Sequence, residues 1–518
     1  MKRDMDRAEL RDRVVTRHGA CFSDWVVATG LVVSATAAGC GRQPDVIANP
    51  EGVTSIREPA LVVGPAARSA AAADDLPRPT PATRPVMKRL LEDMKDRAER
   101  IPLPEPTPEE RAVAGDDPQA LSYETRLRTL YLAGTPPRGY LGFGGMPPQR
   151  AGVPVRQPVE KPDPALSLDY AFKTRLFWIA SRTNNCQYCL GHQESKLLAV
   201  GMTDDDLARL DTEWTAFPVA EQAAFTLARR ITLAPGDVSD ADVEACLVHY
   251  APQQVLEMAL SVAGNNAINR WKEGIGVPQA AGGGGSGWAL TRPDGVHSYL
   301  TATSERYALT PSQVAVIDET PAPDGLCATP QLPAPARAAE VRSGLARARS
   351  RTPRLPLVPE EEARRLLADV APPGTVPAWM RLLAWFPEAG PRLARSLAVG
   401  GAPSELDPLD RALVRWAVAR RNRAWYALDL AERDLRHAGL DETALADLAG
   451  DQAQVASARR ALLVVADALA ASPVSCTDGQ FQAALTATSP ATMTRVVHEV
   501  AMESLFDRFT EAAGLPIE

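Results

Sequence analysis

The sequence predicts an all-α protein in which one helical domain occurs twice, and three observations support this. Apolar residues such as Phe172, Leu176 and Ile179 recur at spacings of three and four, which places them on one face of a helix. No segment shows the strict alternation of polar and apolar residues that indicates a β-strand. A shift of 238 positions aligns residues 169–278 with residues 407–516 without a gap.

Length and composition indicate several domains and exclude some classes of protein. A chain of 518 residues with 45% hydrophobic content is too long for one ordinary core and favours several domains. The formal net charge of −8 gives no basic field for a phosphate backbone, so nucleic acid is not an expected partner. Seven cysteines are too few for a disulfide scaffold. The 45 prolines would break evenly distributed helices, so they must cluster outside the folded blocks.

The N-terminal segment predicts export. Residues 25–38 are uncharged, too short to span a bilayer and suited to the apolar region of a signal peptide. Three small residues then precede Cys40 and resemble the lipobox of bacterial lipoproteins, in which the cysteine is lipidated. We therefore expect a signal peptide at 1–40 and a lipid anchor at Cys40 in the bacterial cell envelope. The alternative is an apolar N-terminal helix on a cytoplasmic protein. No other apolar run has the length of a membrane helix, so membrane contact is expected only through the anchor.

Two proline-rich stretches divide the rest of the chain. Residues 41–118 are rich in Pro and Ala and are predicted to form a tether, interrupted by one helical stretch near 86–100. A second stretch, 279–335, contains a run of glycines and several prolines and is predicted to be a linker. The folded blocks are then 119–278 and 336–518.

The repeat keeps one register along its whole length, which coincidence does not explain. Gly201 ends a predicted helix and Thr203 caps the next one, and Gly439 and Asp441 repeat this arrangement in the second block. Identical residues at equivalent positions include Asp169 and Asp407, Trp178 and Trp416, Arg182 and Arg420, Asn184 and Asn422, Tyr188 and Tyr426, and Arg270 and Arg508. We expect the two copies to pack as a pseudo-symmetric pair in place of a homodimer.

The functional signal lies in what the repeat does not preserve, because residues that only build the fold should persist in both copies. Three residues of the first copy are lost in the second: Cys186, Cys189 and His192 become Ala424, Ala427 and Leu430. Two thiols at this spacing at a helix N-terminus share one face. The helix dipole favours a thiolate, and one thiol can resolve a sulfenic acid on the other. The pattern therefore indicates a redox-active pair.

The segment from Trp178 to His192, together with Asn266, Asn269 and Arg270, resembles the alkylhydroperoxidase D-like, carboxymuconolactone decarboxylase family. The resemblance covers about 110 residues in each copy. It implies an all-helical domain that oligomerises, without a cofactor or a metal. In the branch of the family that carries Cys-x-x-Cys, the domain reduces peroxides.

The resemblance also implies residue roles. It makes Cys189 the peroxidatic cysteine and Cys186 the resolving one, while the late Asn-x-x-Asn-Arg element is structural. The family's proton-relay histidine follows the second cysteine by four residues; that position holds Gln193, and His192 lies one place earlier. The family's activating glutamate would fall on Thr174. Glu194 is the candidate replacement, although copy two keeps a glutamate there.

The predicted function is that of a thiol-dependent peroxidase with a peroxide substrate and a thioredoxin-like reductant outside the cytoplasm. Three alternatives use the same residues. Cys186, Cys189, Cys246 and His249 have ligand types that suit a tetrahedral zinc site. A decarboxylase acting on a carboxymuconolactone-like substrate is another possibility, although such family members generally lack the cysteine pair. The third alternative is a cell-envelope binding or scaffold protein with a vestigial dithiol.

Overall fold

The structure is a computed structural model that describes residues 76–81, 86–87, 97–115, 120–132, 163–277, 334–398, 406–450, 452 and 455–518. The predicted signal peptide, Cys40 and nearly all of the predicted linker lie outside these ranges. Every regular element in the described residues is helical, which confirms the all-α class. None of the described helices is both long enough and apolar enough to cross a bilayer.

Eighteen α-helices lie within the described ranges, and the first eight belong to the N-terminal half. They are α1 (Pro108–Ala114), α2 (Tyr123–Tyr131), α3 (Tyr170–Thr183), α4 (Gln187–Ala199), α5 (Asp204–Thr212), α6 (Val219–Leu233), α7 (Asp240–Leu247) and α8 (Pro252–Ile275). Helices α3 to α8 form the first copy of the repeat. Its hydrophobic core is lined by their apolar faces, including Trp178, Phe225 and Trp271, each almost fully buried.

The last six helices of the C-terminal half repeat the order of α3 to α8. Four helices come first: α9 (Ala338–Arg349), α10 (Glu360–Leu366), α11 (Ala378–Leu383) and α12 (Ala389–Ala398). The second copy follows as α13 (Pro408–Asn422), α14 (Trp425–His437), α15 (Glu442–Ala449), α16 (Ser457–Ala470), α17 (Asp478–Ala487) and α18 (Pro490–Ala512). Each helix from α13 to α18 begins 238 residues after its counterpart among α3 to α8. The sequence repeat is therefore a repeat of helices.

Local capping chemistry explains why the boundaries coincide. Thr203 caps α5, with its side chain accepting a hydrogen bond from the N–H of Asp206, and the Asp441 side chain caps α15 in the same way. Before each cap the chain turns through a glycine with positive φ, 100° at Gly201 and 96° at Gly439. Residues with a Cβ rarely adopt this backbone, so glycine ends the preceding helix in both copies.

The two copies contact each other through paired elements. Helix α8 packs along α18, while α6 packs on α18 and α16 packs on α8. At the centre Arg270 donates to the carbonyl of Ala470 (3.1 Å), and Arg508 donates to the carbonyl of Thr232 (3.1 Å), which is the equivalent residue of the other copy. Reciprocal contacts of this kind are expected for two copies related by a two-fold axis. The pseudo-dimer itself stays a prediction.

Part of the predicted tether packs against the repeat. Arg100 donates to Asp478 of copy two (2.7 Å), and Arg354, from the segment before copy two, donates to Asp240 of copy one (2.7 Å). Asp240 and Asp478 are equivalent residues, so the segment that precedes each copy reaches across to the other copy. The residues around Arg100 therefore form part of the packed structure, held there by guanidinium–carboxylate pairs.

Candidate functional site

The cysteine pair lies at the turn between α3 and α4. Cys186 is the N-cap residue of α4 and Cys189 lies in its first turn; their Cα atoms are 5.3 Å apart and the pair closes a disulfide. The turn passes through Asn185 at φ 56°, a left-handed backbone that Asn tolerates better than most residues. The N–H of Cys186 donates to the carbonyl of Ser181 (2.9 Å), which fixes the start of α4 on the end of α3.

The disulfide is enclosed. Cys186 is fully buried, and Cys189 is 3% exposed. Residues 76–81, which we name the strap, lie against the same turn: Asn185 donates to the carbonyl of Pro79 (3.1 Å) and Arg182 donates to that of Pro81 (2.8 Å). Both sulfur atoms are therefore shielded from solvent, and a protein could reach them only by displacing neighbouring residues.

His192 lies one turn after Cys189 on α4, so the two side chains share a face of the helix. The imidazole lies over Tyr188, with ring centroids 4.4 Å apart. Burial lowers the pKa of His192 well below its usual 6.5, and the positive charges of Lys196 and Lys272 lower it further. His192 is therefore neutral near pH 7, and the same burial and positive charges make it a weak base.

Glu194 is fully buried on a different side of α4. The Trp178 indole N–H donates to its carboxylate (3.2 Å), which joins α4 to α3. Side chains two positions apart on a helix do not face each other, so Glu194 and His192 point to different sides. Glu432 keeps this position in copy two and pairs with Arg436 (3.1 Å). The glutamate therefore has different partners in the two copies, and the catalytic role of Glu194 stays a prediction.

Thr174 occupies the position where the resemblance would place an activating glutamate. Its side chain is fully buried, and its hydroxyl donates to the carbonyl of Tyr170 within α3 (2.7 Å). The adjacent Lys173 is committed to a buried ion pair with Glu257 (2.7 Å). Position 174 therefore supplies no base, and activation of a thiolate has to come from other groups.

A buried amide network holds the redox turn on α8. The side-chain N–H groups of Asn184 donate to Asn266 and Asn269, both at 2.8 Å, and Arg270 donates to Asn266 (2.8 Å). All four side chains are at least 98% buried, so each hydrogen bond is made away from water, where losing one is costly. The Asn-x-x-Asn-Arg element thus orients the residues that precede Cys186, in keeping with a structural role.

Copy two completes this network through residues that sequence reasoning missed. Ser472 Oγ donates to the Asn184 side-chain oxygen (2.8 Å) and accepts from Arg270 (2.5 Å), while the N–H of Val474 donates to the Asn184 carbonyl (3.1 Å). The signal was present in the repeat, because Ser472 corresponds to Ala234 in copy one. A search for residues that only copy two carries, as well as those that only copy one carries, would have identified Ser472.

The structure does not support the zinc alternative. Cys246 is buried on α7, and burial, followed by the nearby Asp242 carboxylate, raises the pKa of its thiol to about 12. Metal binding needs the thiolate, which this environment disfavours. His249 is exposed beyond the end of that helix. In the part of the chain that the structure describes, no group of three or more His, Cys, Asp or Glu side chains is arranged to hold a metal ion.

No protein-family model matches this sequence, and no curated protein matches it. The functional argument therefore depends on the residues of the site.

Proposed function

We propose that the protein is a thiol-dependent peroxidase that uses Cys189 and Cys186 to reduce peroxides. The observation that carries this proposal is the disulfide at the start of α4 in copy one. Copy two has the same helices with Ala424 and Ala427 at the equivalent positions, both buried. The equivalent turn of copy two forms without thiols, which supports a chemical role for the pair in copy one.

The proposed reaction has three balanced steps. The Cys189 thiol loses its proton to His192, and the thiolate attacks the terminal oxygen of ROOH; the O–O bond breaks, the sulfur becomes a sulfenic acid and RO⁻ takes the proton from His192. The Cys186 thiol then attacks that sulfur, which forms the disulfide and releases water. An external dithiol supplies two electrons and two protons to reopen the disulfide and is itself oxidised to a disulfide.

Two features of the site support these roles. Cys189 lies in the first turn of α4, where backbone N–H groups and the helix dipole stabilise an anion. His192 lies three positions later on the same face and is neutral near pH 7; because its lowered pKa makes it a weak base, it holds the proton only until RO⁻ takes it. Cys186 is six positions from His192 and is better suited to act second.

The proposal includes a thioredoxin-like reductant in the cell envelope, because the expected anchor at Cys40 would place the dithiol in an oxidising compartment. The reductant would bind where the strap covers the turn. Since Cys189 is 3% exposed, this step requires a local opening near Asn185.

Single-cysteine variants test the proposal. We expect the parent protein to consume peroxide continuously when dithiothreitol is supplied, and Cys189→Ser to consume none. Cys186→Ser should reduce about one equivalent without a reductant and leave a sulfenic acid on Cys189 that dimedone labels. Cys246→Ala, which copies Ala484 of the second copy, is the matched control and should behave as the parent.

Equal peroxide consumption by the parent and Cys189→Ser would refute the proposed reaction. A disulfide that no dithiol reduces in the folded protein would instead indicate a structural role for the pair.

A further inference from the structure

Lys196 is a cation close to the dithiol, and no carboxylate among the described residues pairs with it. It lies on α4, four positions after His192 and seven after Cys189, so the three side chains follow one face of the helix. The side chain is partly buried and forms no hydrogen bond or ion pair in the described part of the chain. Burial lowers the pKa of its ammonium group to about 8. A poorly hydrated, unpaired ammonium is costly, and an anion would remove that cost.

A second lysine reaches the same region from α8. The Lys272 ammonium lies 4.7 Å from the centre of the Tyr188 ring, the ring that also packs on His192. It forms an ion pair with Glu124 of α2. Both lysines lower the pKa of His192, so both ammonium groups lie within electrostatic reach of the imidazole.

Glu124 faces these cations in the described part of the chain, and its one negative charge does not balance them. Glu124 accepts from the Trp271 indole N–H (2.8 Å), pairs with Lys272 and lies 3.5 Å from Arg128. One negative charge thus faces Lys272 and Arg128, and Lys196 adds a third positive charge. Among these described groups the three cations therefore outnumber the carboxylate that faces them.

The two lysines occur in the copy that carries the dithiol and are absent from the other copy, which has the same fold. At the positions of Lys196 and Lys272, copy two has Asp434 and Thr510. Asp434 pairs with Arg415 (2.8 Å), so the same place on the helix is occupied there by a neutralised acid. Tyr188, in contrast, is retained as a tyrosine in copy two. Packing therefore does not require a lysine at position 196.

We infer that Lys196, assisted by Lys272, binds an anionic group of the substrate, so that the preferred peroxide is an organic hydroperoxide carrying a carboxylate or a similar anion. This inference rests on the proposed peroxidase function. Seven residues of helix correspond to a rise of roughly 10 Å between Cys189 and Lys196. The hydroperoxide and the anionic group should therefore lie about that far apart, as at the two ends of a medium-length alkyl chain.

Paired substrates of equal length test the inference. The probes are a terminal hydroperoxyoctanoate, its uncharged methyl ester and hydrogen peroxide. For the parent we expect a kcat/KM that is about tenfold higher for the acid than for the ester, the size of effect that one charge-assisted interaction produces. Lys196→Gln should remove this preference; because it also removes a charge that lowers the pKa of His192, any remaining change in rate should be the same factor for the acid, the ester and hydrogen peroxide. Lys196→Arg, which keeps the charge, should retain most of it.

The control is Arg209→Gln, which removes an exposed positive charge from α5 of the same copy and should keep the preference. If Lys196→Gln slows all three peroxides equally, the residue is structural and the inference is overturned while the peroxidase function stands.

A binding measurement separates the inference from the proposed function. Hydroxyoctanoate, the reduced product, is titrated calorimetrically into the parent and into Lys196→Gln, and this readout needs no turnover. Tighter binding to the parent, with no such difference for the methyl ester, supports the anion site even if no peroxide is consumed. Equal binding to both proteins would overturn it.

Discussion

At the scale of single residues, the environment of His498 makes stability depend on pH. Its ring lies edge-on to Trp271, with centroids 6.3 Å apart, at the contact between α8 and α18. Burial lowers the pKa of His498 to about 3, and the charges of Arg128 and Arg411 contribute. The unfolded chain binds a proton at this residue near pH 6.5, whereas the folded chain does not until the pH is close to 3.

We predict that His498→Leu, which introduces the residue found at Leu260 in copy one, flattens the acid side of the stability profile. Between those two pKa values the unfolded state holds one more proton, so stability falls as the pH falls, by about 1.4 kcal/mol per pH unit. Urea denaturation of both proteins at about pH 6 and pH 5 measures the two slopes. Parallel slopes would show that His498 is protonated in the folded state.

The residues of the candidate site were predictable to different degrees. Cys186, Cys189 and His192 were found because the second copy lacks them, and this comparison needs no structure. Lys196 is also absent from copy two, but it belongs to no sequence motif. Its partial burial and its lack of a partner among the described residues are what single it out. Glu194 was the candidate replacement for the family's glutamate; it lies against Trp178, and its catalytic role stays a prediction.

At the scale of elements, the segment between α16 and α17 of copy two supports the turn between α3 and α4 of copy one. Ser472 is buried and contacts both Asn184 and Arg270. We predict that Ser472→Ala lowers the free energy of unfolding by about 1–3 kcal/mol, because it removes a buried donor from Asn184. It should also shift the reduction potential of the disulfide, since the turn that positions Cys186 loses one restraint.

Ser475→Ala is the matched control for this element. Ser475 lies in the same segment, but its hydroxyl donates to Ala468 within copy two (3.3 Å). Redox titration against a dithiol couple should give the parent potential for this variant. If the two serine variants shift the potential equally, the effect is a general loss of packing and Ser472 has no specific link to the dithiol.

At the scale of the whole molecule, the copies approach closely where α8 meets α18. A Cβ on Gly274 would overlap Cγ1 of Val497, so the side chain of one copy occupies the space that glycine leaves on the other. We predict that Gly274→Ala destabilises the protein by about 1–3 kcal/mol through overpacking. In a Val497→Ala background, the same change should be neutral or stabilising, because Ala is the better helix former by about 1 kcal/mol.

A double-mutant cycle measures this coupling by chemical denaturation of the four proteins. An equal cost of Gly274→Ala in both backgrounds would contradict the contact between the copies.

The sequence by itself determined the helical class, the repeat, the helix starts after Thr203 and Asp441, and the dithiol. These features depend on local chemistry: apolar spacing, caps such as Thr203, and glycines such as Gly201 are written in adjacent residues. The packed segment around Arg100 escaped the sequence reading, because its prolines indicated a tether and its partner Asp478 lies 378 positions away.

Only the tertiary structure decided which distant side chains meet. Ser472 reaches Asn184 across 288 positions, and Lys272 comes from α8 to the ring of Tyr188 on α4. Such contacts depend on how helices pack, which no local spacing encodes. The burial that sets the pKa values of His192 and Lys196 has the same origin, because desolvation is a property of the assembled core.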